Sequence, residues 1–455
     1  MEEILFDEIL QEIFTRLPSS SSSLPTFESV PLVSKRWLRL YRASKTSMSL
    51  RVNPHDSSVI TFLPSILHNH PSLSSLWFVS DPKIPILFPS AAESNFNDHL
   101  ISIVSSRCFN LRKLCFLVNP LPPSSLLPLS TSLSLTSLSL KLLGPVSFNW
   151  VASFPSLKDL SVDVCSRNSS GSLTGSNPNP EVVELGLESV SLTGIQSDDT
   201  GVTWLWRRCR KLKKLCLKSC ETIGETELFA LCLKNVEEIE LRTCRSIVDV
   251  VLLKVSEICE SLNSLLIYDG GNKDGLVHFM NNSRCNDTLK TLDLRLPMDL
   301  MDEHLVSLAA SFKSLSALRL TSCYFVTGHS LKILALSFCS SLEELSLRSC
   351  DAVEREPGVV SMLASCSGLV ELDLRGCKNL TGSVLVSLNK SCVELRSLDI
   401  ASCRLIQAGE VEAFVMKSQR LKKIVVEENK ITEAAMRWAS SKLIDVVALD
   451  SDVPW

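Results

Sequence analysis

Apolar residues recur along most of the chain in one unit, L-x-x-L-x-L-x-x-[C/N]. Its leading positions are Leu111, Leu135, Leu157, Val182, Leu212, Val236, Leu262, Leu289, Leu315, Leu342, Leu369, Leu395 and Leu421. Within each copy the fourth and sixth places alternate with polar ones, as in a half-buried strand, and the residues that follow place apolar side chains at helical spacing. The clearest copy is LVELDLRGCKNLTGSVLVSLNKSC, residues 369–392, where Leu372 and Leu374 mark the strand and Leu380, Val384, Leu385 and Leu388 mark the helix. After Val236 the leading positions fall 26 or 27 residues apart. Thirteen copies of one strand-turn-helix unit predict a solenoid, in which each unit buries its apolar face only by stacking on its neighbours. A looser copy opens at Leu73 with Leu76 and Phe78 in register, and Val446 to Leu449 predicts a terminal strand.

The first fifty residues follow a different period. Leu5, Ile9, Ile13 and Leu17 fall four apart, with Leu10 and Phe14 beside them, which predicts one amphipathic helix ended by Pro18. After the serines at 19–23, Val33, Trp37 and Leu40 predict a second apolar face, flanked by Lys35, Arg36, Arg39 and Arg42. Two such helices are too small to be stable alone. They either dock a partner or cap the first repeat, as every solenoid requires.

Composition agrees with the pattern and removes several function classes. In 455 residues, 45% are hydrophobic and 21% charged, so a large core is affordable and wholesale disorder is excluded. A net charge of −4 gives no overall pull toward nucleic acid. The uncharged stretch 114–140 is long enough to cross a membrane, but Pro120, Pro122, Pro123 and Pro128 rule out a continuous apolar helix there. The opening MEEILFDEIL is acidic where a secretory signal is basic, so the expected setting is intracellular, with reduced thiols. Of seventeen cysteines, seven occupy the ninth place of the unit: Cys165, Cys220, Cys244, Cys323, Cys350, Cys377 and Cys403. Six more stand three residues before a leading apolar residue: Cys108, Cys209, Cys259, Cys339, Cys366 and Cys392. Cys115, Cys216, Cys232 and Cys285 fit neither class. No C-x-x-C pair, P-loop, G-x-G-x-x-G or H-E-x-x-H occurs, and His68 and His70 are read as loop residues, so neither metal, cofactor nor catalysis is expected.

The 26- to 27-residue units with cysteine before and after the strand resemble the cysteine-containing class of leucine-rich repeats. The N-terminal pattern L-x-D-E-I-L-x-x-I-F-x-R-L-P followed by L-V-S-K-R-W resembles the F-box, and the two in this order resemble the F-box/LRR proteins. The resemblance implies an α/β leucine-rich-repeat horseshoe, with a parallel inner sheet and outer helices, behind a small all-α F-box module. The implied division is an F-box at 1–48, divergent first repeats at 49–110, cysteine-containing repeats at 111–442 and a terminal strand and tail at 443–455. It also implies a non-catalytic substrate-recognition subunit of a ubiquitin ligase. The implied partners are a Skp-type adaptor, through it a cullin and a RING protein, and an unidentified target. The setting would be cytoplasmic, nuclear or both. Carried over by position, the adaptor contacts are Leu5, Phe6, Ile9, Ile13, Leu17, Val33 and Trp37. Phe6 stands where the family usually has proline, and the serine run lengthens the loop between the helices. A small-molecule co-receptor of the same layout, or a scaffold outside any ligase, are the other readings.

Period-two alternation sends the third, fifth and seventh places of each strand to the concave face. There Arg242, Asp293, Arg295, Arg319, Arg348, Asp373 and Arg375 are the candidate target-binding residues. Arginine forks on stacked strands suit an acidic or phosphorylated segment. The alternative is a ladder that neutralises itself, because Asp293, Asp373, Glu344 and Glu371 are within reach of the same arginines. The basic run RRCRKLKK at 207–214 reads as a nuclear-import signal, or as repeat residues locked by Cys209, Leu212 and Leu215. Trp204 and Trp206 read as an exposed anchor or as packed helix residues, and the turn-rich stretch 166–180 as a loop.

Overall fold

The computed structural model describes residues 6–16, 30–80, 91–165, 184–199, 201–297, 299–350 and 357–450. The chain divides into two compact units, Met1–Leu212 and Lys213–Trp455. Leu5, Leu17, the serine run and the stretch 166–180 lie outside the described residues.

The first unit opens with α1 (Asp7–Arg16) and α2 (Lys35–Ser44). Ser34 caps α2, its hydroxyl accepting the Trp37 N–H at 3.2 Å. Six strands follow: β1 (Ser47–Val52), β2 (Ser75–Ser80), β3 (Lys113–Leu121), β4 (Ser137–Leu143), β5 (Asp159–Cys165) and β6 (Ser189–Thr193). They pair in parallel and in chain order. The repeat therefore reaches back to β1, whose Met48 and Leu50 pair with Leu76 and Phe78. One repeat is corrected: Leu160 pairs with Val190, so the unit carrying β6 leads from Leu187, not from Val182. Both 182–190 and 187–195 satisfy the apolar pattern, and only strand pairing separates them.

The second unit contains β7 (Lys214–Lys218), β8 (Glu238–Arg242), β9 (Ser264–Tyr268), β10 (Thr291–Arg295), β11 (Ala317–Thr321), β12 (Glu344–Arg348), β13 (Glu371–Asp373), β14 (Ser397–Asp399), β15 (Lys423–Glu427) and β16 (Asp445–Leu449). These also pair parallel in chain order. Fourth- and sixth-place residues such as Ile239 and Leu241, or Leu292 and Leu294, are buried, leaving the third, fifth and seventh places on an open face. Helices pack beside one another behind the strands, as in a leucine-rich-repeat solenoid.

The turn after each of β7 to β14 is strained in the same way. Ser219, Thr243, Asp269, Leu296, Ser322, Ser349 and Ser402 have φ between 49° and 62°, and Gly376 takes that place after β13. The conformation persists because the backbone N–H reaches the next repeat, Ser322 to Arg348 O at 2.8 Å and Leu296 to Thr321 O at 2.9 Å, for example, while Ser402 donates to the Glu427 carboxylate. A left-handed non-glycine residue costs about 1–2 kcal/mol. Leu296→Gly is therefore expected to raise stability by about 1 kcal/mol, with a rise in urea midpoint as the readout and an unchanged or lower midpoint as the contrary result.

The ninth-place cysteines complete this turn. Cys350 Sγ donates to Leu320 O at 3.5 Å, Cys377 to Leu347 O at 2.8 Å and Cys403 to Leu374 O at 3.1 Å, each reaching the preceding repeat. Two of the four unassigned cysteines prove to be members of the pre-strand class displaced by one place. Cys232 and Cys285 sit four residues before Val236 and Leu289, both buried in the turn that leads into the strand. Cys115 and Cys216 occupy fifth places on the open face.

Adjacent helices are also joined by a polar clasp. Asp302, at the start of α3 (Asp302–Ser311), accepts from Thr327 N at 2.8 Å and from Ser330 Oγ at 2.6 Å. Burial pushes this carboxyl up, and the Ser330 and Thr327 hydrogen bonds outweigh it, so it titrates below the usual range. A carboxyl lowered in the folded state stabilises above its unfolded value and loses that contribution as pH falls through the folded one. Asp302→Asn should therefore lower the denaturation midpoint at neutral pH and flatten its acid limb below about pH 4, as followed by thermal unfolding.

Candidate functional site

The N-terminal helices have a core of their own. Leu10, Phe14 and Leu40 are buried, with Val30, Trp37 and Tyr41 packed against them. Phe14 meets Trp37 and Tyr41 edge-on at 5.5 and 5.9 Å, and Asp7 ties α1 to Arg36 at 2.6 Å. The inward face is therefore Leu10 and Phe14, and the i, i+4 pair Ile9 and Ile13 points outward, 47% and 44% exposed. Phe6 lies on the same exposed side. Val33 is not part of the second helical seam; it precedes α2 and is exposed, because the chain is still in a turn there, and only Trp37 and Leu40 turn inward. Leu32, more exposed still, was not singled out from the sequence although it begins the L-V-S-K-R-W stretch. The structure thus brings Phe6, Ile9 and Ile13 onto the outer side of α1, leaves Leu32 and Val33 bare beside α2, and assigns Trp37 to the internal core. A single small core with large aliphatic side chains left in water is the arrangement of a module completed by another surface.

The open face of the second unit gathers the predicted charged residues. Arg295 binds Asp293 through Nε and Nη2 at 2.8 and 2.7 Å. Arg319 is bidentate on Glu344, its Nη2 at 2.6 Å from Oε2, and lies 3.9 Å from Asp293. Arg348 reaches Asp373 at 3.1 and 2.7 Å, and Arg242 pairs with Glu240 on its own strand. The Asp293 hydrogen bond raises the Arg295 guanidinium further above its ordinary value, as the Glu344 bond does for Arg319. Burial holds the Asp399 carboxyl above the usual range, the Ala401 N–H acting against it. Asp373 also accepts the Arg375 N–H at 2.9 Å, and Arg375 falls beyond the end of its short strand. Arg295, Arg319, Arg348, Glu344, Asp373 and Asp399 are among the residues lining a groove of about 350 Å³. The strip is thus a row of ion pairs, and the carboxylates are the more deeply set partners.

Other candidates resolve differently. Trp206 is buried and Trp204 carries the Arg208 guanidinium 4.2 Å above its ring. Cys209 and Leu212 are buried, while Lys213 and Lys214 pair with Glu237 and Glu238 at 3.8 and 2.5 Å, so the basic run is held in repeat register. His68 ends the helix Ser58–His68 instead of lying in a loop. All seventeen cysteines are free thiols, and burial drives several up, Cys209, Cys392 and Cys403 to about 12. Thiols held protonated in this way are poor nucleophiles. Among the described residues no group of three histidine, cysteine or acidic side chains could hold a metal ion, and no helix is long and apolar enough to cross a membrane.

No protein-family model matches the chain. Among solved structures, a chain of the yeast Rad7–Elc1 complex is similar, with a TM-score of 0.51 and 18% identity over 94% of this chain and 90% of that one. A chain of the TLR13–ssRNA13 complex follows at 0.49 and 16%, over 84% of this chain and 53% of that one. At 18% identity the likeness to the Rad7–Elc1 chain is one of fold: an α/β repeat solenoid.

Proposed function

We propose that the chain is a substrate-recognition subunit of a ubiquitin ligase of the Skp-cullin-F-box type. Its α1–α2 module holds the Skp-type adaptor, and the open face of the second unit holds a target protein. The observation that carries the reading is the exposed apolar surface on a helical pair whose own apolar core, among the described residues, is Leu10, Phe14 and Leu40. The fold likeness to a chain of a two-protein complex, Rad7 with Elc1, is compatible with it. The chain supplies no chemistry. It raises the effective concentration of a target near the ubiquitin-charged conjugating enzyme that the cullin and RING protein recruit.

Co-expression of the full chain with a Skp-type adaptor tests this. A one-to-one complex surviving size-exclusion chromatography is the expected result. Separate elution at micromolar concentration would leave the helical pair as a cap and the chain as a scaffold.

A further inference from the structure

The open face carries an ordered row of side chains across its strands. Strand pairing aligns the seventh places in one row, Lys218, Arg242, Tyr268, Arg295, Thr321 and Arg348. From β8 to β12 arginine occupies every second strand, with a hydroxyl-bearing residue between. The third places carry no such row: Lys214, Glu238, Ser264, Thr291, Ala317, Glu344 and Glu371 follow one another there.

The ion pairs shape this row without cancelling it. The Asp293 side chain is 2% exposed against 37% for Arg295, and Asp373 is 24% exposed against 44% for Arg348. Each carboxylate grips its arginine from below through Nε and Nη2, and a guanidinium has five N–H donors, so the remainder face outward in a fixed orientation.

We infer that the partner seated here is an α-helix of the target bearing one carboxylate every seventh residue along one edge. This rests on the reading of the open face as the target surface. Stacked strands are about 4.8 Å apart, so successive arginines in the row are about 9.6 Å apart. Two helical turns rise about 10.5 Å in seven residues, within the reach of a glutamate side chain. An extended chain repeats the same side every two residues, about 6.7 Å, and meets neighbouring arginines out of step.

The test uses the full chain and two labelled helical peptides of identical composition. In one, glutamate recurs every seventh residue; in the other, the same glutamates recur every third or fourth. Fluorescence anisotropy should favour the first by roughly tenfold, and Arg242→Gln with Arg348→Gln should remove that preference. Glu240 and Asp373 are partly exposed, so water can solvate them when unpaired. Should that variant unfold on heating before the wild type, Thr321→Arg serves instead. It breaks the two-strand alternation and should let the second peptide bind as well as the first. Equal binding of both peptides by wild type, or binding of neither, overturns the inference. Adaptor capture is measured on the same samples. Its loss with the peptide preference kept overturns only the ligase reading, and the converse overturns only the helix.

Discussion

Replacing Ile9 and Ile13 together by aspartate is expected to lower adaptor capture by roughly a hundredfold or more while leaving the fold intact. Both side chains point away from the Leu10, Phe14 and Leu40 core, so two carboxylates there remain hydrated in the free chain. Surface changes of this kind stay within about 0.5 kcal/mol. In a complex the same carboxylates would be buried without partners at the centre of an apolar contact, where each truncation or charge insertion costs about 2 kcal/mol or more. Phe14→Ala is the contrasting variant. It empties the space between Trp37 and Tyr41 and should unfold the helical pair itself, seen as lost α1 and α2 amide protection. Undiminished capture by the double aspartate variant would remove α1 from the docking surface.

Phe312→Ala should be the most damaging single change in the second unit. Phe312 closes α3 and stacks on Phe279, at 5.6 Å between centroids and 24° between planes, with both rings buried. Truncating a buried phenylalanine costs about 3–5 kcal/mol. In a solenoid that loss falls on one interface between neighbouring repeats, because stability sums over adjacent pairs. Hydrogen exchange should show β9, β10 and β11 losing protection while β14 to β16 keep theirs. Uniform loss across all strands would mean that the unit unfolds as one cooperative block.

The repeat was legible because a strand-turn-helix unit that recurs thirteen times constrains its own reading: a misplaced boundary in one copy is corrected by the next. Where the copies are irregular that help fails. Leu185, Leu187, Val190 and Leu192 alternate in a way that fits two starting points, and pairing with β5 decides between them. The direction of α1 was hidden for a related reason. Leu5, Ile9, Ile13 and Leu17 form the longer apolar row, yet the shorter Leu10 and Phe14 pair is buried, because the aromatic Trp37 and Tyr41 lie on that side. Apolar spacing says that a face exists, not which partner covers it. The charges on the open face were legible by place but not by pairing, since a third-place glutamate and a fifth-place arginine on adjacent strands meet only through side-chain rotamers, as Glu344 and Arg319 do.

The turns after the strands tie the repeats in both directions. The N–H of the left-handed residue donates to the following repeat, Ser322 to Arg348 O and Ser349 to Arg375 O, while the adjacent thiol donates to the preceding one, Cys350 to Leu320 O and Cys377 to Leu347 O. The interfaces between β11 and β12 and between β12 and β13 therefore carry donors and acceptors on both sides, so parting two of these repeats leaves unsatisfied polar groups on each, and the charged strands lose their alignment only when a whole interface opens.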